Sequence, residues 1–131
     1  MKNNDRKHNT PYYLLGGEQA IRHLCETFYT VMDSSSEAQA IRAMHGKDLS
    51  RISQRLFEYL SSWLGGPDLY VQKYGSMCIN EAHAPYAIGE VERDQWLLCM
   101  NETLSKVNAS DEVKAMLKQP FYQVANMLTT K

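Results

Sequence analysis

The side chains of this 131-residue chain best suited to chemistry near neutral pH are its four histidines, His8, His23, His45 and His83. No two of them stand at the i, i+3 or i+4 spacing that would put paired imidazoles on one helix face, and no HExxH string occurs. His8 lies in a polar stretch and His23 falls off the apolar stripe around it, so both read as surface residues. His45 follows Met44 where a helical pattern gives way to Gly46. His83 stands in Glu81-Ala82-His83-Ala84-Pro85-Tyr86, among small and aromatic residues ahead of a proline. Taken alone, each is more simply a satisfied or solvated imidazole than a ligand. Cys25, Cys78 and Cys99 are odd in number and scattered, without CxxC or CxxCH. That argues against a disulfide framework, a structural zinc site and a covalently tethered prosthetic group. GxSxG and GxxxxGK are absent, and the carboxylates fall mostly on polar helix faces, where solvation is the default.

Helices must position these groups. From Glu18, Ile21, Leu24, Cys25, Phe28 and Met32 recur at i, i+3, i+4, i+7 and i+11, with Tyr29 on the flank of the stripe. Gly16-Gly17 precede this helix, and Asp33-Ser34-Ser35-Ser36 end it. A short helical piece over 37–44 leads to a turn at His45-Gly46. Leu49, Ile52, Leu56, Tyr59, Leu60 and Trp63 form the face of the next helix, which Gly65-Gly66-Pro67 stops. Residues 68–82 read as a loop, with one or two helical turns over 79–83. A third long helix is predicted over 92–107, with Leu97, Met100, Leu104 and Val107 on one face and Trp96 beside them. Ser110 caps a fourth, striped by Val113, Met116, Leu117, Phe121, Val124 and Leu128, which Pro120 should kink or divide. Residues 1–11 lack periodicity and read as a flexible arm on a single domain over 12–131. With no convincing strand, the fold class is all-α.

Composition narrows the function. Lys and Arg number 14 against 15 Asp and Glu, for a net charge of −1, so the chain offers no electrostatic footprint for nucleic acid or an anionic membrane. With 44% hydrophobic and 22% charged residues it is a globular rather than a disordered sequence. No run approaches the roughly 20 apolar residues of a membrane span. MKNNDRKHNTP lacks the apolar core of a secretory signal. The expectation is a cytoplasmic protein, a monomer or weak homodimer.

Three strings say more than periodicity does. GGEQAIRHLCETFYTVMD, MHGKDLSRISQRLFEYLSSWLGGPDLY and HAPYAIGEVERDQWLLCMNETL, in this order within residues 12–128, resemble the group II truncated haemoglobins. WLGGP, HAPYAI and ERDQWLLCM are the most specific parts of the likeness. The resemblance implies a two-over-two helical sandwich around haem b (iron protoporphyrin IX). It implies His83 as the proximal iron ligand, whose abrupt turn Pro85 would end, Tyr29 and Trp96 as distal hydrogen-bond donors, and His45 as a further polar contact. Ile52 matches a distal position that is polar in other globins, so it brings no donor and narrows the way in. Leu56 would press on the haem face, Arg55 and Tyr70 would meet the propionates, and Tyr59, Trp63, Tyr86 and Ile88 would line the apolar wall. The family often reads GHPxLRxRH up to the proximal histidine. Here Gly75-Ser76-Met77-Cys78-Ile79-Asn80-Glu81-Ala82-His83 lacks the His-Pro pair and the arginines, which leaves Lys73 as the substitute for a second cationic clamp. Nothing marks Cys78 as a thiol of lowered pKa.

The implied function is binding of dioxygen and other diatomic ligands such as NO and CO, for oxygen transport or for detoxification of NO or reactive oxygen. A hydrogen bond to a charged acceptor is worth about 1.5–3 kcal/mol, or roughly 10- to 150-fold in ligand escape, so slow oxygen release is expected. The alternative is a haem enzyme, an NO dioxygenase or a peroxidase. Nothing in the chain resembles a flavin or NAD domain, so such an enzyme needs a separate reductase. Peroxide reduction also wants an acid–base group near iron, for which His45 is the one distal candidate. A helical interaction module without haem is the third reading, and it predicts a colourless protein.

Overall fold

The long apolar stripes become helices because each buries its stripe against another. In the computed structural model, which describes residues 9–77, 79, 83 and 86–130, these helices are α1 (Pro11–Leu15), α2 (Glu18–Ser34), α3 (Gln39–Ala43), α4 (Ser50–Trp63), α5 (Leu69–Tyr74), α6 (Glu90–Lys106) and α7 (Asp111–Met127). A 3-10 turn, Ser36–Ala38, joins α2 to α3. There is no strand among the described residues. His8, Cys78, Glu81 and Pro85, and the readings that rest on them, lie outside the described residues.

The core sits where α2 and α4 pack over α6 and α7. Ile21, Leu24, Cys25, Phe28, Val31 and Met32 of α2 are all 2% exposed or less, and they meet Phe57 and Leu60 of α4 and Cys99, Met100 and Leu104 of α6. Val113, Leu117 and Phe121 of α7 complete the same cluster. Burying each such side chain is worth about 1.5–3 kcal/mol, so the sandwich follows from four matched stripes. No helix among the described residues is long and apolar enough to cross a membrane.

The structure departs from the sequence reading in four places. Order begins before residue 12: Pro11, with φ preset for a first helical position, opens α1, and Tyr12 is buried. The Tyr12 N–H donates to the Leu64 carbonyl at 3.0 Å. Gly66 makes this docking feasible, since a Cβ there would stand 2.4 Å from the Tyr12 ring. Second, the expected loop after Pro67 contains α5, too short for its period to show. Third, α7 continues undivided through Pro120, because Val113, Leu117, Phe121 and Ala125 bury one face on both sides of the proline, and packing outweighs the missing N–H.

Fourth, two carboxylates leave the solvated class. Glu92 caps α6 by accepting the Gly89 N–H at 2.7 Å, which starts the helix at Glu90. Glu58 is buried and accepts from Gln54 Nε2 at 3.1 Å, Lys73 Nζ at 3.0 Å and the Tyr74 hydroxyl at 3.1 Å. Burial alone would raise its carboxyl pKa, but these three donors and the Lys73 charge hold it below the ordinary value.

Candidate functional site

A cavity of about 250 Å³ lies between the helices and brings together the pocket residues expected from the sequence, apart from Lys73. Tyr29 comes from α2, His45 from the turn after α3, and Ile52, Arg55, Leu56, Tyr59 and Trp63 from α4. Tyr70 comes from α5, His83, Tyr86 and Ile88 from the stretch before α6, and Trp96 from α6.

Hydrogen bonds decide the tautomer of both histidines. His83 Nδ1 lies 2.8 Å from the Ile79 carbonyl, and a carbonyl can only accept. Nδ1 therefore carries the proton, and the Nε2 lone pair is the one left for a metal. His45 Nδ1 likewise donates to the Ile41 carbonyl at 2.9 Å, so its neutral Nε2 is an acceptor. Burial lowers the His45 pKa; the Ile41 bond opposes this, and the charges of Arg42 and His83 reinforce it. The turn carrying His45 is itself tied down. Arg42 bonds Asp33 Oδ1 at 2.8 Å and the carbonyls of His45 and Gly46 at 3.3 and 2.9 Å. The Ile41 N–H donates to Gln95 Oε1 at 3.0 Å, fastening α3 to α6.

Tyr29 and Trp96 sit in a run of aromatic rings. Phe28 lies 5.0 Å from Tyr29 and 5.2 Å from Trp96, Phe121 lies 5.7 Å from Trp96 and 5.0 Å from Trp63, and the Tyr29 ring is 5.8 Å from His45. Burial, with the neighbouring Cys25, pushes the Tyr29 hydroxyl well above the ordinary phenol range, so it stays protonated and remains a donor. The indole N–H of Trp96 is a donor only.

At the edge of the cavity, Arg55 lies 5.1 Å over the Tyr74 ring. Tyr70 is wedged between Tyr59 and Tyr74, with ring centroids at 5.3 and 4.5 Å. The expected substitute clamp, Lys73, does not line the cavity; the buried Glu58 carboxylate holds its ammonium. The further cation in the lining is Arg93, which bonds Asp94 at 2.9 Å and Asn126 at 2.8 Å. The sequence reading gave Arg93 no role, although it lies within the ERDQWLLCM string. It also passed over Ile41, Met44, Leu60, Ile79, Glu92, Phe121, Val124, Ala125 and Leu128. For the residues of α7 the signal was present, since Phe121, Val124 and Leu128 continue the stripe of the last helix.

These residues fit haem: one imidazole of fixed tautomer, apolar and aromatic walls for a flat macrocycle, and guanidinium and phenol groups for carboxylates at the rim.

The chain matches the family model of bacterial-like globins over residues 10–130. It is 28% identical, over 109 residues that make up 83% of this chain and 80% of the relative, to the group 2 truncated hemoglobin YjbI of Bacillus subtilis. Among solved structures it resembles the cold-adapted truncated hemoglobin of the Antarctic marine bacterium Pseudoalteromonas haloplanktis, with 40% identity, a TM-score of 0.89, and 94% of this chain and 99% of that one covered. It also resembles the group II 2-on-2 hemoglobin of Agrobacterium tumefaciens, with 33% identity, a TM-score of 0.88 and coverage of 92% and 94%. A truncated oxygen-avid haemoglobin from Bacillus subtilis aligns at 27% identity and a TM-score of 0.82, covering 93% and 100%. The chain belongs to the bacterial-like globins and, within them, to the group II truncated haemoglobins, haem proteins that bind small gaseous ligands.

Proposed function

We propose that the protein binds dioxygen and related diatomic ligands reversibly at haem b, with His83 as the proximal ligand and Tyr29 and Trp96 as ligand-stabilising donors. The observation that carries this reading is the His83 imidazole, its Nδ1–H committed to the Ile79 carbonyl and its ring lining an aromatic crevice that also holds Tyr29 and Trp96. When bound, haem supplies the iron at which a diatomic ligand is taken up. The protein's part is to aim one imidazole, exclude water with aromatic walls and offer hydrogen bonds to a ligand carrying partial negative charge.

Tyr29 is suited to that last role because burial keeps its hydroxyl protonated. His45, neutral with Nε2 as acceptor, is suited to receive a hydrogen bond from Tyr29 or a water rather than to give one to the ligand. Arg55 and Tyr70, with Arg93 also in the lining, are the groups for the propionates. One similar protein is described as oxygen-avid, which agrees with two donors in one crevice. We read the protein as cytoplasmic, monomeric or weakly dimeric, and dependent on a separate reductase if it turns over NO.

The test is hemin titration followed by absorption spectra of the ferric, ferrous and ferrous–CO forms. A one-to-one endpoint and a five-coordinate ferrous spectrum are expected; a colourless protein with no endpoint overturns the reading. Mixing the oxygenated protein with NO then separates carrier from enzyme, since sustained nitrate production under a physiological reductant belongs to a dioxygenase.

A further inference from the structure

Thr130, near the end of the chain, is bound to a segment far from it in sequence. The α7 helix ends at Met127, and the Thr129 hydroxyl turns back to the Asn126 carbonyl at 2.7 Å, which carries the backbone across to residues 86–88. There Thr130 makes three hydrogen bonds: its N–H donates to the Ile88 carbonyl at 2.7 Å, its hydroxyl accepts from the Ile88 N–H at 3.0 Å, and the same hydroxyl donates to the Tyr86 carbonyl at 2.7 Å. The Tyr86 N–H in turn donates to the His83 carbonyl at 3.0 Å. Thr130 thus stands two hydrogen bonds from the backbone of His83.

Residues 86–88 are not part of a helix; the backbone bond within them, from the Ile88 N–H to the Tyr86 carbonyl at 3.1 Å, shares its donor with the Thr130 hydroxyl. They are held from outside, by Thr130 at residues 86 and 88 and, just beyond, by the Glu92 carboxylate at the Gly89 N–H. Tyr86 and Ile88 line the crevice on one side of this segment, and Leu128 lines it from the tail. A side chain is only as well aimed as its backbone.

We propose that the Thr130 hydroxyl is a positioning group for the proximal side of the crevice: it staples residues 86–88 and through them fixes the backbone that presents His83. The inference rests on the reading of His83 as the haem ligand. Position 130 is exposed, so substitution there leaves the core intact. Thr130→Val keeps the shape and the backbone N–H but removes the hydroxyl, whereas Thr130→Ser keeps all three bonds.

Two measurements on the haem-loaded full chain decide it: the rate of hemin transfer to an excess of a haem scavenger, and the iron–histidine stretching band of the ferrous form in resonance Raman. The Val variant is expected to lose hemin about three- to tenfold faster, the scale of one or two hydrogen bonds, and to show a shifted or broadened band. The Ser variant should match the wild type in both. A Val variant indistinguishable from the wild type in both measurements overturns the proposal, and so does a Ser variant that behaves like Val. A wild type that takes up no hemin sinks the haem reading itself, and this inference with it.

Discussion

Two walls of the crevice are held by different physics. The wall bearing Tyr29, Ile52, Leu56 and Trp96 belongs to long helices that also carry the core, so its side chains are placed by packing: Phe28, between Tyr29 and Trp96, is fully buried. Among the described residues, the wall bearing His83, Tyr86 and Ile88 has no long helix, and its buried apolar side chains are Ile79 and Ile88. Single hydrogen bonds place it, from Ile79, Thr130 and Glu92. Packing is spread over many contacts and tolerates the loss of one, whereas a pinned segment depends on each pin. The stretch leading to this second wall, over 75–82, is also where the sequence departs from the pattern common in the family.

The sharpest way to break the comparison is His83→Gly. Only the pinned wall loses a side chain, and hemin binding and the five-coordinate ferrous spectrum should both disappear until free imidazole is added. Phe28→Ala attacks the packed wall instead. It should cost about 3–5 kcal/mol in urea unfolding, because a fully buried ring leaves a cavity that the surrounding helices cannot collapse. Tyr29→Phe removes only a donor, and Trp96→Phe removes a donor together with part of a ring packed on Phe28 and Phe121. Each should speed oxygen dissociation about tenfold in stopped flow, the value of one hydrogen bond to a charged acceptor, and unchanged rates in both would remove the distal-donor role.

The smallest effect is expected at the joint between the walls, where Glu58 of α4 holds Lys73 and Tyr74 of α5. Glu58→Gln should cost about 1 kcal/mol at pH 7, kept modest because Lys73 is in solvent. The Glu58 pKa is lowered on folding, so its stabilisation is present above the unfolded carboxyl value, about 4.3, and is lost as pH falls through the folded value. The stability gap between variant and wild type should close in acid. A gap that does not narrow at all as the pH falls below the unfolded carboxyl value would mean the charge plays no part.

The same division explains what was legible in the sequence. The stripe from Ile21 to Met32 and that from Val113 to Leu128 are periodic because whole faces are buried, so four helices could be read from spacing alone. Neither α1 nor α5 is long enough to repeat a period. Spacing could not single out His83 either, since its partners are a backbone carbonyl and a crevice; only the strings around it, HAPYAI and ERDQWLLCM, pointed there. Glu58 looked like one more surface carboxylate because two of the three donors that make its burial tolerable, Lys73 and Tyr74, sit on another helix.

The hydrogen bond from Tyr12 to Leu64 has a consequence for the far end of α4. A helix leaves its last carbonyls without partners of its own, and here the opposite end of the sequence supplies one of them. Remove residues 9–17 and α4 should begin to unravel from Trp63 backward toward Tyr59, so that damage reaches the haem from behind, through described residues that line no part of its cavity.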